Sequence, residues 1–216
     1  MPVNNRDSVD IVLRLVDVIQ KNKDYLGEID GAIGDGDHGI NMNKGFTMAG
    51  ERIRTDKVES FSEGLSVLGD VLLMDIGGSM GPLYGTFFGE MSESIASVET
   101  FTREDFGRMI EAGLAGIQSL STAKVGDKSL MDCLVPACEA YRVEANKGSD
   151  FETCLRALQK AADEGWENTK DMVAMIGRAS RLGERSRGTY DAGATSCHLI
   201  LQSLSQSFLE KLSVCA

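Results

Sequence analysis

The chain has 216 residues, a formal net charge of −11 at pH 7 and only 3 prolines. A net charge this negative argues against a nucleic-acid surface and against a polybasic membrane anchor. No apolar run has the length of a membrane span, and the N-terminus lacks the apolar core of a signal peptide, so we expect a cytoplasmic protein without a membrane segment. The length suits one large domain with its own core, which we place at residues 1–216.

Cysteine usage supports the same compartment. The 5 cysteines are an odd number and include no C-x-x-C pair. They are Cys133, Cys138, Cys154, Cys197 and Cys215. We expect reduced thiols, most of them packed as small apolar side chains.

The first predicted helix covers residues 6–22, and an acidic, glycine-rich stretch follows it at residues 30–41. If the backbone between the glycines is extended, Asp35 and Asp37 point to the same side. Two carboxylates aimed at one point repel each other unless a cation lies between them. Oxygen ligands suit a hard ion, and the spacing is not that of an EF-hand, so the stretch favours magnesium over calcium. The alternative is a turn whose carboxylates only cap the next helix.

The second predicted helix begins at His38 or Gly39 and runs through Ala49. The acidic stretch therefore leads directly into a helix N-terminus. Free amide N–H groups and a positive partial charge at that end favour a phosphate group.

The third predicted helix has an apolar stripe over residues 65–76 and ends at a glycine-rich run, residues 77–85. Pro82 suits the first position of a fourth helix. One interpretation of the run is a simple connection between helices. The other is a second main-chain nest for an anion, formed by Gly78, Ser79 and Met80.

Four further helices complete the prediction. Thr102 and Asp105 form a capping-box pattern at the start of the fifth, and Pro136 should kink the sixth or remove one backbone hydrogen bond. Ser149 or Asp150 should cap the seventh. The predicted bounds of the four are 102–120, 130–141, 151–170 and 192–212.

An arginine-rich stretch, residues 177–193, precedes the last helix and has 4 arginines in ten residues. A run of charges is commonly a solvated surface. Arginine is also the residue best suited to bidentate contacts with phosphate. Both interpretations stay open from the residues alone.

About eight helices and no convincing strand make the fold class all-α. The glycine-rich elements fall on alternate connections, and alternate connections of an up-and-down helical array lie at the same end. We therefore expect one site that combines carboxylates for a metal with amides and arginine for phosphate.

These motifs together resemble the nucleotide-binding L subunit (DhaL) of dihydroxyacetone kinase, over essentially the whole chain. The similar segments are residues 33–39, 77–86, 126–132, 183–186 and 191–196. The resemblance implies a single-domain barrel of about eight amphipathic antiparallel helices with ADP or ATP at its open end.

The resemblance also implies the site residues. Asp30, Asp35 and Asp37 would hold two Mg²⁺ ions. The nucleotide would contact His38, Gly39, Ile40, Asn41, Gly78, Ser79, Met80, Ser121, Leu130, Arg178, Asp191, Ala192 and Gly193. The positions at which the chain departs from residues common in the family are Met80, Ser121, Leu130 and Ala192. His198, on the last helix, is interpreted as an ordinary packed or surface residue.

The implied function is that of half an enzyme. An L subunit supplies the nucleotide, and a separate K subunit holds dihydroxyacetone or a similar short ketose. ADP would stay bound and be rephosphorylated by an M subunit of the phosphotransferase system. Alternatively ATP would exchange freely, as in a kinase for dihydroxyacetone or a tetrose. An ADP-sensing regulatory interaction protein is a third interpretation. A homodimer stays open, and the acidic chain favours partners with basic surface near the rim.

Overall fold

The computed structural model describes residues 3–213, and Cys215, one of the expected reduced thiols, lies outside this range. Within the range there is no β-strand, and none of the helices is long and apolar enough to cross a membrane. The helices are α1 (Val9–Lys21), α2 (Lys23–Ile33), α3 (His38–Thr55), α4 (Phe61–Asp75), α5 (Met80–Ser94), α6 (Arg103–Leu120), α7 (Met131–Asn146), α8 (Phe151–Asn168) and α9 (Ala192–Ser213). Two 3₁₀ segments, Thr169–Asp171 and Ala179–Ser186, connect α8 to α9.

Eight of these helices form a closed ring. α1 packs against α3, each helix from α3 to α8 packs against its successor, and α9 closes the ring by packing against α1. The all-α barrel of eight antiparallel helices is therefore confirmed. α2 lies outside the ring and packs on α3 and α9.

α2 corrects the prediction of a loop at this point. Its 11 residues include Gly27 and Gly31, which have low helix propensity, and its C-terminal half overlaps the acidic stretch. Leu26, Ile29 and Ile33 are nevertheless buried at helical spacing. Burial of this one face on its neighbours therefore outweighs local propensity.

The helix ends largely follow the predicted signals. Thr102 and Asp105 form a reciprocal capping box at the start of α6. Asp150 rather than Ser149 caps α8, since its carboxylate accepts a 2.7 Å hydrogen bond from the amide of Thr153. Pro82 lies inside the first turn of α5, which begins at Met80 rather than at the proline.

The α7 helix continues through Pro136. Because proline has no N–H, the only expected loss is the hydrogen bond to the carbonyl of Asp132. The helix therefore tolerates this residue without ending there.

An aromatic cluster fills the barrel at the end where α4, α6 and α8 begin. The ring of Phe208 lies 5.8 Å from Phe61, 5.2 Å from Phe101 and 4.8 Å from Phe106, measured between centroids. Phe106 also packs edge to face on Phe151. This end of the barrel is closed by packed rings, and the connections at the other end are free to form a site.

The backbones of α2 and α3 touch at Gly39. A Cβ atom at Gly39 would overlap the carbonyl oxygen of Lys23 and would lie 2.7 Å from the amide nitrogen of Gly27. Only glycine permits this approach, which fixes the direction in which α3 leaves the acidic stretch.

We predict that Gly39→Ala destabilises the protein by about 2 kcal/mol or more, because backbone atoms of α2 cannot yield to the added methyl group. Gly89→Ala is the matched control, since nothing lies within 4 Å of a Cβ at Gly89 in α5. The control should be neutral or more stable by up to about 1 kcal/mol. Urea denaturation of both variants measures the difference, and equal stabilities would contradict the close packing of α2 on α3.

Candidate functional site

Four connections at the open end of the barrel surround one cavity of about 290 Å³. They are the α2–α3, α4–α5, α6–α7 and α8–α9 connections, so the predicted convergence on one rim is confirmed. The predicted site residues that line the cavity are Asp30, Asp35, Asp37, His38, Asn41, Gly78, Ser79, Met80, Ser121, Leu130, Arg178, Asp191, Ala192 and Gly193. Gly39 and Ile40 do not line it: Gly39 is buried against α2, and Ile40 is 58% exposed.

Three carboxylates converge at one side of the cavity. An oxygen of each of Asp30, Asp35 and Asp37 lies within 4.8 Å of the others. Asp30 belongs to the last turn of α2 rather than to a loop, and its carboxylate accepts a 3.2 Å hydrogen bond from the amide of His38. A Cβ at Gly34 would overlap the Asp30 carboxylate, so the turn requires glycine there. An oxygen-only set of this kind fits a hard cation such as Mg²⁺.

Arg178 reaches this carboxylate cluster from the opposite wall. It directly precedes the 3₁₀ segment Ala179–Ser186, and its guanidinium forms an ion pair with Asp35. The pairing offsets part of the repulsion among the carboxylates. The acidic stretch and the arginine-rich stretch are therefore two walls of one site.

The α4–α5 connection adds main-chain donors. Gly78 has φ +75°, and nothing lies within 4 Å of a Cβ there, so its backbone is open to the cavity. α5 begins directly afterwards at Met80, and the first amides of a helix have no partner within the helix. The Met80 side chain packs against the core, which leaves its main chain facing this end.

His38 points into the barrel wall. Its Nε2 lies 2.9 Å from the hydroxyl of Ser196, which is itself 2.7 Å from the hydroxyl of Tyr84. Tyr84 also donates to the carbonyl of Gly193 at 3.2 Å. Burial lowers the pKa of His38 to about 4, so the imidazole is neutral at pH 7. The side chain thereby joins the start of α3 to α9 through Ser196.

An apolar wall completes the cavity between α5 and α7. It is formed by Leu83, Ile117, Leu130 and Met131. The hydroxyl of Ser121 accepts a 3.1 Å hydrogen bond from the amide of Ala123 and so shapes the adjoining turn. The wall offers a flat ring system an apolar surface beside the polar phosphate region.

Some residues that shape the cavity were not among the sequence candidates. Ser196 contacts His38, Tyr84 in turn contacts Ser196, and Asp132 orders the α6–α7 connection. Its carboxylate accepts from the amides of Gly126 at 2.6 Å and Ser129 at 2.7 Å. All three residues lie inside segments on which the resemblance rests. Their residue types alone, however, did not predict which groups they would contact.

Asp191 caps α9 at the rim. Its carboxylate accepts a 2.7 Å hydrogen bond from the amide of Ala194. Burial raises the pKa of Asp191 to about 7, and the negative charges of Asp132 and Asp30 act in the same direction. The hydrogen bond and the nearby Lys128 ammonium oppose this rise.

His198 lies outside the cavity. Its ring stacks on Trp166 at 4.5 Å, and its Nε2 lies 2.6 Å from the Asp163 carboxylate. These contacts agree with its interpretation as an ordinary packed residue.

Comparison with known proteins identifies the family. The DAK2 domain family is matched over residues 32–206, and the chain belongs to this family. The chain is 34% identical to the PEP-dependent dihydroxyacetone kinase, ADP-binding subunit DhaL, of Escherichia coli, over 94% of this chain and 97% of that protein. It is 38% identical to the corresponding subunit 1 of Listeria innocua, over 88% of this chain and 89% of that protein.

A solved structure has the same fold. The dihydroxyacetone kinase from C. freundii, in complex with AMP-PNP and Mg²⁺, superposes with a TM-score of 0.69 at 22% identity. The match covers 96% of this chain and 35% of that chain, so the present chain spans about a third of that longer kinase.

We predict that Asp191 makes stability depend on pH. Its folded pKa of about 7 exceeds the value near 3.9 of an unfolded aspartate, so the folded state binds more protons between these values. Asp191 by itself should therefore lower the free energy of unfolding by up to about 2 kcal/mol as pH rises from 5 to 8, whereas His38, whose pKa is lowered, contributes a change of opposite sign below about pH 6.5 in every variant. The difference in slope between the native protein and Asp191→Asn should show the Asp191 part. Thermal denaturation without nucleotide or metal measures it, with Asp70→Asn on the exposed face of α4 as control. Parallel slopes for all three proteins would show that Asp191 does not titrate in this range.

Proposed function

We propose that this chain is the nucleotide-binding, Mg²⁺-dependent subunit of a dihydroxyacetone-type kinase. It delivers a phosphoryl group to a short ketose that a separate K subunit holds. The observation that carries the proposal is the convergence of three carboxylates, an arginine and an open glycine turn on one cavity. The names of relatives that match nearly full length support the same function.

In this proposal Asp30, Asp35 and Asp37 hold the metal, as two Mg²⁺ ions. When bound, Mg²⁺ neutralises charge on the phosphate oxygens and on the group being transferred. Without a cation the three carboxylates would repel a nucleotide, so nucleotide and metal should bind together.

Arg178 links the metal side of the cavity to the phosphate side. Its guanidinium pairs with Asp35. Once Asp35 binds a cation, that pairing weakens and the guanidinium is available for a phosphate at the same place. Phosphoryl transfer depends mainly on positioning and charge neutralisation, so the chain needs no nucleophile of its own.

The remaining contacts follow the walls of the cavity. The amides of Gly78, Ser79 and Met80 bind phosphate, and a methionine at position 80 retains a main-chain donor. The start of α3 contacts the nucleotide through His38, Gly39, Ile40 and Asn41. Gly39 and Ile40 contribute main-chain amides at the helix N-terminus.

The base side of the nucleotide lies against the apolar wall. Ser121 and Leu130 face the base, and residues 191–193 complete the rim. The departures of the chain from common family residues at positions 121, 130 and 192 fall in this part of the cavity.

The phosphoryl donor is proposed to be ADP that stays bound and is rephosphorylated by an M subunit of the phosphotransferase system. Relatives described as PEP-dependent and PTS-dependent match over 86–97% of their own length. The runner-up is an exchangeable ATP subunit of a kinase for dihydroxyacetone or a tetrose. The observation that favours this second candidate is the similarity of the chain to an L-erythrulose kinase and a D-erythrulose kinase. The match covers 32% of the length of each of these kinases. An ADP-sensing regulatory protein is the third candidate.

The open end of the barrel also offers a surface for the K subunit in the cytoplasm. Large apolar side chains are exposed around it at Ile40, Leu73, Met74, Leu120, Val125 and Met175. Exposed apolar side chains gathered around a cavity are typical of a docking surface. Docking at this end would exclude water from the transferring group and bring the ketose to it.

We predict that Asp35→Asn abolishes function. Removing this carboxylate weakens metal binding and should lower phosphoryl transfer with the K subunit by on the order of a hundredfold or more. The rise in melting temperature caused by Mg²⁺ with ADP should disappear as well. Asp70→Asn makes the same charge change far from the cavity and should behave as the native protein. Full activity of Asp35→Asn would refute the metal assignment.

We also predict that ADP copurifies with the protein. Native mass spectrometry should show a mass increment of ADP with Mg²⁺, and labelled nucleotide should exchange slowly. An empty site that binds ATP reversibly with Mg²⁺ would instead identify the exchangeable kinase. Absence of any nucleotide binding in Mg²⁺ would contradict the proposed function.

A further inference from the structure

Lys128 is a buried cation in the α6–α7 connection. The residue is only 2% exposed. Its ammonium donates hydrogen bonds to the carbonyls of Met172 at 3.2 Å, Ser186 at 2.5 Å and Thr189 at 2.7 Å. No carboxylate of the described residues lies within 4.0 Å of it. An ammonium group has three N–H donors, so main-chain carbonyls use all of them.

A set of carbonyls that converges on one point is an arrangement suited to a monovalent cation. One of these bonds is buried and the other two are partly buried, so without the ammonium the carbonyls would lose a donor where water has little access. Lys128 also has φ +61°, a left-handed conformation that a residue with a side chain adopts only when its surroundings impose it. The strained backbone conformation of Lys128 is therefore the one that places its ammonium among the three carbonyls.

The three carbonyls belong to both ends of one segment, residues 172–189, in the middle of which lies Arg178. Two further bonds support this arrangement. The amide of Ala174 donates to the hydroxyl of Ser186 at 2.9 Å and joins the two ends, and the amide of Met175 donates to the carbonyl of Asp127 at 3.0 Å and joins the first end to the α6–α7 connection. The two ends are anchored, and the arginine-bearing middle extends over the cavity between them.

Lys128 itself lines the cavity, so a direct contact with phosphate is the obvious alternative. That contact would require the ammonium to give up carbonyls at 2.5 Å and 2.7 Å and leave them unpaired. The geometry therefore favours an indirect role.

We propose that Lys128 is a positioning residue, a covalently attached monovalent cation that clamps the two ends of segment 172–189 and so holds Arg178 over the carboxylate cluster. The role of Arg178 toward phosphate rests on the proposed function, whereas the clamp itself does not. If the ammonium of Lys128 is removed, a small ammonium ion from solution should be needed to anchor segment 172–189.

The test compares Lys128→Ala with Lys128→Met. Both place an L-residue at the same strained backbone position, but alanine leaves space for an ion and methionine fills it. Trypsin cleavage after Arg178, Arg181, Arg185 and Arg187, without nucleotide, reports how firmly the segment is held.

Cleavage should be about tenfold faster in both variants than in the native protein, because charged hydrogen bonds are lost. Methylammonium should slow it again in Lys128→Ala but not in Lys128→Met. Tetramethylammonium, which has the same charge and no N–H group, should have no effect in either. Unchanged cleavage in Lys128→Ala, or acceleration that methylammonium does not reverse, would overturn the proposal.

The affinity for ADP with Mg²⁺ separates this inference from the proposed function. Lys128→Ala should bind about tenfold more weakly, and methylammonium should restore the affinity. If the native protein fails to bind the nucleotide, the proposed function is wrong. The proteolysis result then still tests whether Lys128 anchors the segment. Binding by Lys128→Ala that equals the native affinity would show that the clamp does not position Arg178.

A second measurement requires no stable variant. A buried ammonium bonded to three carbonyls should give a slowly exchanging Nζ–H signal in the nitrogen-15 NMR spectrum of the native protein. Lys57, an exposed lysine with a similar left-handed backbone (φ +54°), provides the matched rapidly exchanging signal. If no lysine ammonium shows protection at neutral pH, the clamp is contradicted.

Discussion

Repulsion among Asp30, Asp35 and Asp37 is the constraint around which the open end of this barrel is arranged. Three carboxylate oxygens within 4.8 Å of one another need compensating positive charge. Arg178 supplies part of this positive charge, and a hard cation bound by the three carboxylates would supply the rest. Because the arginine comes from the α8–α9 connection, this ion pair brings two distant parts of the chain into contact at the cavity.

One end of the barrel contributes mainly to stability, and the other end carries the candidate site. Phenylalanine rings around Phe208 close one end, where burial of large apolar groups stabilises the ring of helices. The other end has its helix termini, glycine turns and polar side chains exposed to the cavity. A rigid frame that presents loops at one end is how many folds position binding residues accurately.

The sequence predicted the helices and the shared rim because apolar periodicity and glycine-rich turns are local signals, whereas the closed barrel was implied by the family resemblance. It missed α2, whose glycines conceal a buried stripe. It assigned four consecutive residues, 38–41, to the nucleotide. His38 and Asn41, which are three positions apart and share a helix face, line the cavity, and the assignment of Gly39 and Ile40 stays a prediction that main-chain amides could fulfil. The burial of Lys128 could not be foreseen, since its acceptors lie more than forty positions away in the chain.

The most direct test of the account is a crystal structure of the protein grown with ADP and Mn²⁺, in which anomalous scattering locates the metal. The account predicts metal between Asp30, Asp35 and Asp37, nucleotide phosphates at the turn that contains Gly78, and Arg178 moved from Asp35 onto a phosphate. Metal bound elsewhere, or a nucleotide seated outside this cavity with the Arg178–Asp35 pair intact, would contradict it.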